Sequence, residues 1–182
     1  MDKITIRKTM RNTLDGLSEA QIMKYSKAIN KNLTGLDVFK DAESVFLYNS
    51  ILFEPKTKDL IDLCLKQGKR VFLPTIVFNE IHPVRVNEIT KFYKGKFDIL
   101  EPFGDVYFGD IDLTIMPMTA FDKKLNRVGK GGGFYDKFLL DRNTYKIGLG
   151  YSFMQVDEIE TDNRDVKLNM VVTEKGIINE GN

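Results

Sequence analysis

A chain of 182 residues, 42% hydrophobic and 29% charged, is long enough for a sizeable core and has the make-up of an ordinary globular protein. Its 27 basic and 26 acidic residues nearly cancel, so no global field favours nucleic acid and any anion site must be local. One cysteine and one histidine exclude an internal disulfide, a multi-cysteine zinc site and a His-rich metal centre.

Residues 2–14 read as a helix with Ile6, Met10 and Leu14 on one apolar stripe and with Lys3 and Arg7 as i, i+4 neighbours. No apolar block follows Lys3, Arg7, Lys8 and Arg11, so neither a targeting nor a membrane segment is expected, and the expected setting is cytoplasmic. Ser18, Glu19, Ala20 and Gln21 have the form of a capping box. The helix it opens carries the stripe Ile22, Tyr25, Ile29 and Leu33 and ends at Gly35. Residues 45–48 suit a short buried strand, followed by a loop from Asn49 to Pro55 that bears Glu54. Thr57 is placed to cap a third helix, with Leu60, Ile61, Cys64 and Leu65 inward and Gly68 closing it.

Residues 71–73 form the next expected strand, stopped by Pro74. Alternation over 83–86, just after His82, predicts a strand, and 88–93 a helical turn; Pro102 and Gly104 mark loop. Strands are expected over 113–116, 145–151 and 170–173, and Lys175 to Asn182 reads as a frayed terminus. The alternation of strands and helices predicts an α/β fold: a single layered domain over 1–182, with an open, mostly parallel or mixed sheet flanked by helices, Rossmann-like. Ligands gather beyond the carboxyl ends of strands in such sheets. There Glu54, the loop after Met116 and the loop after Tyr151 would meet.

Residues 126–136 carry the strongest chemical signal. Gly129, Gly131, Gly132 and Gly133 sit between Arg127 and Lys130 on one side and Phe134, Tyr135 and Asp136 on the other. Backbone without Cβ atoms can turn its N–H groups towards an anion, and the i, i+4 pairs among Phe134, Tyr135, Phe138 and Leu139 predict that a helix follows. A phosphate cradle explains the flanking cations better than a plain flexible loop does. The Walker and dinucleotide patterns both fail, because Phe134 stands where each needs glycine. Gly150, Tyr151 and Ser152 match half of a nucleophile elbow, but Met154 replaces its closing glycine, and any triad would depend on His82.

Taken together, these residues resemble the 5-formyltetrahydrofolate cyclo-ligases, or methenyltetrahydrofolate synthetases, over nearly the whole chain. The resemblance runs through Lys3-x-x-x-Arg7, Glu54, the run from Asp112 to Pro117, Ala120, Phe121 and Asp122, the glycine block with its Tyr135 and Asp136 exit, Asp165, and Val171 to Glu174. It implies binding of ATP and Mg²⁺, with 5-formyltetrahydrofolate as the other substrate. By the same resemblance Lys3, Arg7, Arg127, Gly129, Lys130, Gly131, Gly132, Gly133, Phe134 and Tyr135 line the nucleotide. Glu54, Lys130, Gly132, Phe134 and Tyr151 would meet the folate. Asp136 and Asp165 would hold Mg²⁺, and Lys130 and Arg127 would be catalytic.

Without the resemblance, Asp136 reads equally well as a complement to the helix dipole, Asp165 as a solvated turn residue and Glu54 as loop. Tyr151 fits a core aromatic as well as a wall of the folate pocket. Four positions depart from the family pattern: Met118 for a common Gly, Phe134 for Tyr, Glu160 for Pro and Asn169 for Asp. The Phe134 change forfeits about 0.5–1.5 kcal/mol if the missing hydroxyl made a hydrogen bond. Asn169 would remove a charge near the metal. A non-catalytic nucleotide- or folate-binding paralogue and a small-molecule kinase are the competing readings. No nucleic-acid or membrane partner is expected, and the expected oligomeric state is a monomer or weak dimer.

Overall fold

The computed structural model describes residues 1–181. The chain opens with α1 (Lys3–Asp15), α2 (Glu19–Thr34), α3 (Asp37–Asp41), β1 (Ser44–Phe46) and α4 (Lys58–Lys66). It continues through β2 (Arg70–Val77), β3 (Glu80–Val86), β4 (Phe92–Lys94), β5 (Leu100–Pro102), β6 (Leu113–Pro117), β7 (Ala120–Phe121) and β8 (Arg127–Val128). The last elements are α5 (Phe134–Leu139), β9 (Tyr145–Leu149), β10 (Met170–Thr173) and β11 (Gly176–Ile178).

Seven strands make one sheet in the order β11-β10-β9-β6-β1-β2-β3, with helices flanking it. The inner pairs are parallel, and the outermost strands, β3 and β11, run antiparallel to their neighbours. Buried on both faces, the inner strands are apolar runs: Val45, Phe46, Val71, Phe72, Leu113, Ile115, Ile147 and Val171 have no exposed surface. Chain direction reverses across the centre, since β1 leads outward to β2 while β6 leads the other way to β9. The resulting crevice lies at the carboxyl ends of β1 and β6, the usual ligand site of an open α/β sheet.

Local chemistry accounts for the helix ends. Asp2 accepts from the Ile4 and Thr5 amides at the start of α1, and Ser18 and Gln21 form the expected capping box on α2. Thr57 stands at the head of α4 without capping it. Its hydroxyl donates inward to the Tyr48 carbonyl at 2.6 Å and accepts from the Ser50 amide, so it holds the loop after β1. Gly68, at φ +75°, closes α4 in the left-handed region.

Further expectations are corrected, and Pro102, expected in a loop, ends β5 opposite Phe92. Pro74 does not stop β2, which continues to Val77 with Pro74 opposite Pro83. The Phe72 carbonyl faces β1, where it accepts from the Leu47 amide. By alternation the nitrogen of Pro74 faces the same side beyond the end of β1, where no strand is present to want its missing hydrogen. Residues 88–93 form no helical turn; the chain turns at 88–89 and enters β4. The terminus is not frayed from Lys175, because β11 pairs with β10 through Val171↔Ile178, Val172↔Ile177 and Thr173↔Gly176. Asn182 lies outside the described residues.

No helix among the described residues is long and apolar enough to cross a membrane. Cys64 is fully buried, as its surroundings of leucine and isoleucine imply.

Candidate active site

The loop that leaves β1 brings Glu54 to the crevice. Glu54 is 9% exposed; its Oε2 accepts from the Ile51 amide at 2.8 Å and its Oε1 lies 2.5 Å from Lys130 Nζ. Two phenols brace that loop from beneath, Tyr48 donating to the Pro55 carbonyl at 3.0 Å and Tyr151 to the Phe53 carbonyl at 2.8 Å. Burial, with the Glu54 charge adding to it, pushes the hydroxyls of Tyr48, Tyr135 and Tyr151 above their ordinary range, so all three keep their protons at neutral pH. Tyr151 itself is fully buried between Tyr25 and Phe153, with ring centroids 5.7 and 5.4 Å away.

The β7–β8 hairpin launches the glycine loop. Its turn is clamped by the buried Asp122, which accepts from the amides of Lys124, Asn126 and Ile159 and from Asn126 Nδ2. Beyond it, the amides of Lys130, Gly131, Gly132 and Gly133 donate to no group among the described residues. Gly131 and Gly133 have φ of +107° and +64°, which side chains on L-residues resist, and a Cβ on Gly132 would overlap the Phe134 ring. Exposed, unpaired amides in that conformation form a concavity suited to phosphate oxygens. The following α5 has only six residues, so the loop's own N–H groups and cations, more than a helix dipole, supply the pull on an anion.

Two elements distant in sequence close on this loop. Arg7 Nε donates to the Gly129 carbonyl at 2.8 Å, which fixes α1 along the loop. Lys3 Nζ lies 2.5 Å from both carboxylate oxygens of Asp165. Arg127 turns inward, its side chain only 4% exposed; Nη2 donates to Asp136 Oδ1 at 2.8 Å, the guanidinium sits 5.9 Å from the Tyr135 ring centre, and Nε is buried with no hydrogen-bond partner among the described residues. The Val166 amide also donates to Asp136 Oδ1, at 3.2 Å, so Asp136 and the segment holding Asp165 meet at one corner.

This donor set fits a magnesium ion. Hard oxygens suit it, one or two carboxylates with phosphate oxygens complete its usual shell, and Asp136 Oδ2 has no hydrogen-bond partner among the described residues. Asp165 is held by Lys3 and by the Asp162 amide at 2.7 Å.

The structure therefore brings Lys3, Arg7, Arg127, Lys130, Asp136, Asp165, Glu54 and the glycines to one region, while Tyr151 supports it from the core. Residues that carried no site role at the level of sequence also contribute. Lys96, between β4 and β5, reaches 5.8 Å from the Phe134 ring centre, so that arm borders the glycine loop. Its base is the buried Glu101, which accepts from Thr75, Tyr93 and the amides of Ile76 and Lys96. A carboxylate directly after Leu100 carried no local signal for this. Glu174, directly after β10, takes the amide of Ser152 at 2.8 Å and its hydroxyl as well.

Two of the unusual residues have structural explanations. Met118 is buried against Gly148 and Gly150, where Cβ atoms would come within 2.9 Å of its Sδ and 2.7 Å of its Cε, so the missing side chains make room for it. Asn169 Oδ1 accepts from the Lys146 amide at 2.9 Å where β9 and β10 begin to pair, so it braces the sheet. Nothing in the structure explains Glu160 beyond an exposed ion pair with the N-terminal amine at 3.5 Å. A triad is excluded: His82 lies on β3 and Ser152 follows β9, four strand spacings away, or roughly 19 Å.

The 5-formyltetrahydrofolate cyclo-ligase family model matches residues 1–174. A 5-formyltetrahydrofolate cyclo-ligase of Haemophilus influenzae is 31% identical, over 90% of this chain and 92% of that protein. A probable 5-formyltetrahydrofolate cyclo-ligase of Schizosaccharomyces pombe is also 31% identical, over 98% of each chain. The solved structure of Aquifex aeolicus 5,10-methenyltetrahydrofolate synthetase superposes with a TM-score of 0.88 at 32% identity, covering 97% of this chain and 92% of that one.

Proposed function

The chain belongs to the 5-formyltetrahydrofolate cyclo-ligase family, and from that premise we propose that it converts 5-formyltetrahydrofolate and ATP into 5,10-methenyltetrahydrofolate, ADP and phosphate, with Mg²⁺. It does so in the cytoplasm, as a monomer or weak dimer. The observation that carries this reading is the 2.5 Å contact between Lys130 and Glu54, which joins the phosphate-type loop to a buried carboxylate at the mouth of the crevice.

A formamide oxygen is a poor leaving group, and phosphorylation makes it a good one. The γ-phosphoryl group of ATP passes to the formyl oxygen, and the activated carbon becomes open to N10. N10 bonds to that carbon and gives up its proton; the C–O bond breaks, and phosphate departs with the electron pair. The amidinium that remains is the methenyl product.

For this sequence the protein supplies alignment and charge. The unpaired amides of 130–133, with Lys3 and Arg7, receive the triphosphate. Glu54 accepts paired N–H groups of the pterin and so fixes its orientation. That contact frees Lys130, which turns from Glu54 to the migrating phosphoryl group. Arg127 holds Asp136 in place, and Phe134 offers an aromatic face to the folate. Asp136 and Asp165 would hold Mg²⁺, whose chemistry there is neutralisation of phosphate charge.

The direct test mixes the protein with 5-formyltetrahydrofolate and Mg-ATP and follows the absorbance of the conjugated product. ATP-dependent product that disappears in Asp136→Asn is expected. Nucleotide binding without product overturns the reading in favour of a non-catalytic paralogue.

A further inference from the structure

Glu54 depends on a loop whose tip is strained. Ile51 and Glu54 close a tight turn, with the Glu54 amide donating to the Ile51 carbonyl at 2.9 Å, and Leu52 within it has φ +42°. A leucine in that region is strained and persists only where its surroundings fix the chain. Tyr48 and Thr57 hold the ends of the loop, and the contact nearest the carboxylate comes from across the sheet. The Tyr151 hydroxyl donates to the carbonyl of Phe53, the residue next to Glu54. Tyr151 is in turn fixed at the point where the chain leaves β9, because Glu174 accepts both the amide and the hydroxyl of the adjacent Ser152.

We propose that Glu174 and the Tyr151 hydroxyl are positioning residues for Glu54, forming one line of contacts from the end of β10 through Ser152, Tyr151 and Phe53 to the carboxylate that orients the pterin. The proposal rests on the folate reading above. Neither group touches the substrate in this scheme; Tyr151 lies in the core, and Glu174 is beyond it. Their task is to hold a carboxylate within about 0.5 Å of the geometry that two adjacent N–H donors require.

Members of a single line act as a unit, so breaking it twice costs little more than breaking it once. The experiment measures the Kd for 5-formyltetrahydrofolate by equilibrium titration, which needs no turnover, in the wild type, Tyr151→Phe, Glu174→Gln and the double variant. KM for ATP and Tm are recorded alongside. Tyr151→Phe keeps the ring packing, and Glu174→Gln replaces one accepting oxygen with an NH₂ group that cannot accept. Each single variant is expected to weaken folate binding about tenfold, with the double variant close to either single and KM for ATP within about twofold.

Lowered Tm with an unchanged folate Kd overturns the proposal, since the contacts would then be structural only. Independent effects that multiply to about a hundredfold also overturn it. A wild-type protein that binds no folate overturns the functional reading instead. Should Tyr151→Phe fail to fold, Glu174→Gln alone decides, through the same comparison of folate Kd with Tm.

Discussion

Lys3 Nζ sits 2.5 Å from both carboxylate oxygens of Asp165, although 162 positions separate the two residues. The first turn of α1 is thereby pinned to a carboxylate expected to hold the metal, and nucleotide and ion must share or divide this pair on binding. We expect Lys3→Met to raise KM for ATP about tenfold while folate Kd stays within about twofold. Urea midpoints should barely move, because a partly exposed pair contributes about 0.2–1 kcal/mol. A large stability loss with normal ATP kinetics would show that the pair serves the fold.

Lys130 is the exposed partner of a carboxylate that is itself nearly buried. Its removal should lower kcat by about a hundredfold, the scale of losing one donor aimed at developing charge. Folate Kd in Lys130→Ala should change far less, since Glu54 keeps its bond from the Ile51 amide. Pre-steady-state kinetics with a direct folate titration separates the two quantities, and equal losses would end the role assigned to this side chain.

The notch occupied by Met118 makes a prediction about packing. Gly148→Ala would drive a Cβ to 2.7 Å from Leu168 Cδ1 and 2.9 Å from Met118 Sδ. Overpacking of this kind costs about 1–3 kcal/mol, read from urea denaturation. Met118→Ala should be destabilising in the wild type yet restore part of the loss in the Gly148→Ala background.

Burial pushes the Cys64 thiol from its ordinary 9.0 up to about 11, despite the nearby Lys69 charge. The folded protein should therefore resist Ellman's reagent at pH 8 and react at once when unfolded. The sign of the pH dependence follows. An unfolded chain releases this proton near pH 9 and the folded one near 11, so stability contributed by Cys64 is complete below 9 and lost as pH rises between them. Cys64→Ala should flatten part of the fall in Tm between pH 9 and 10; the buried tyrosines, also raised in the fold, account for a loss of the same sign that grows towards pH 10 and remains in the variant.

What was legible in the sequence was local. The capping box at Ser18 and Gln21, the stripe of α2 and the glycine run each encode their structure within a few residues, and all formed as read. The strand through Pro74 was hidden because its tolerance depends on where β1 ends, a fact of the sheet and not of the dipeptide. For the same reason β11 looked like a tail: its pairing edge exists only once β10 is in place. Thr57 shows the limit of capping rules, since a nearby carbonyl in the core outcompeted the helix for its hydroxyl.

The site divides the same way. Residue types and spacing pointed to the glycines, Arg127 and Lys130, whereas site roles for Asp136 and Glu54 came from the family resemblance. Nothing in spacing tells that Glu174 grips Ser152, or that Glu101 anchors the arm beside Phe134.

Arg7 reaches the carbonyl of Gly129, and Lys3 reaches Asp165. Within this sequence α1 finds its partners only after β7, β8 and the glycine loop, and then Asp165, have followed. Contacts of such long sequence separation slow assembly. A nascent chain halted before Asp165 would thus carry the glycine run and both amino-terminal cations and still be blind to nucleotide.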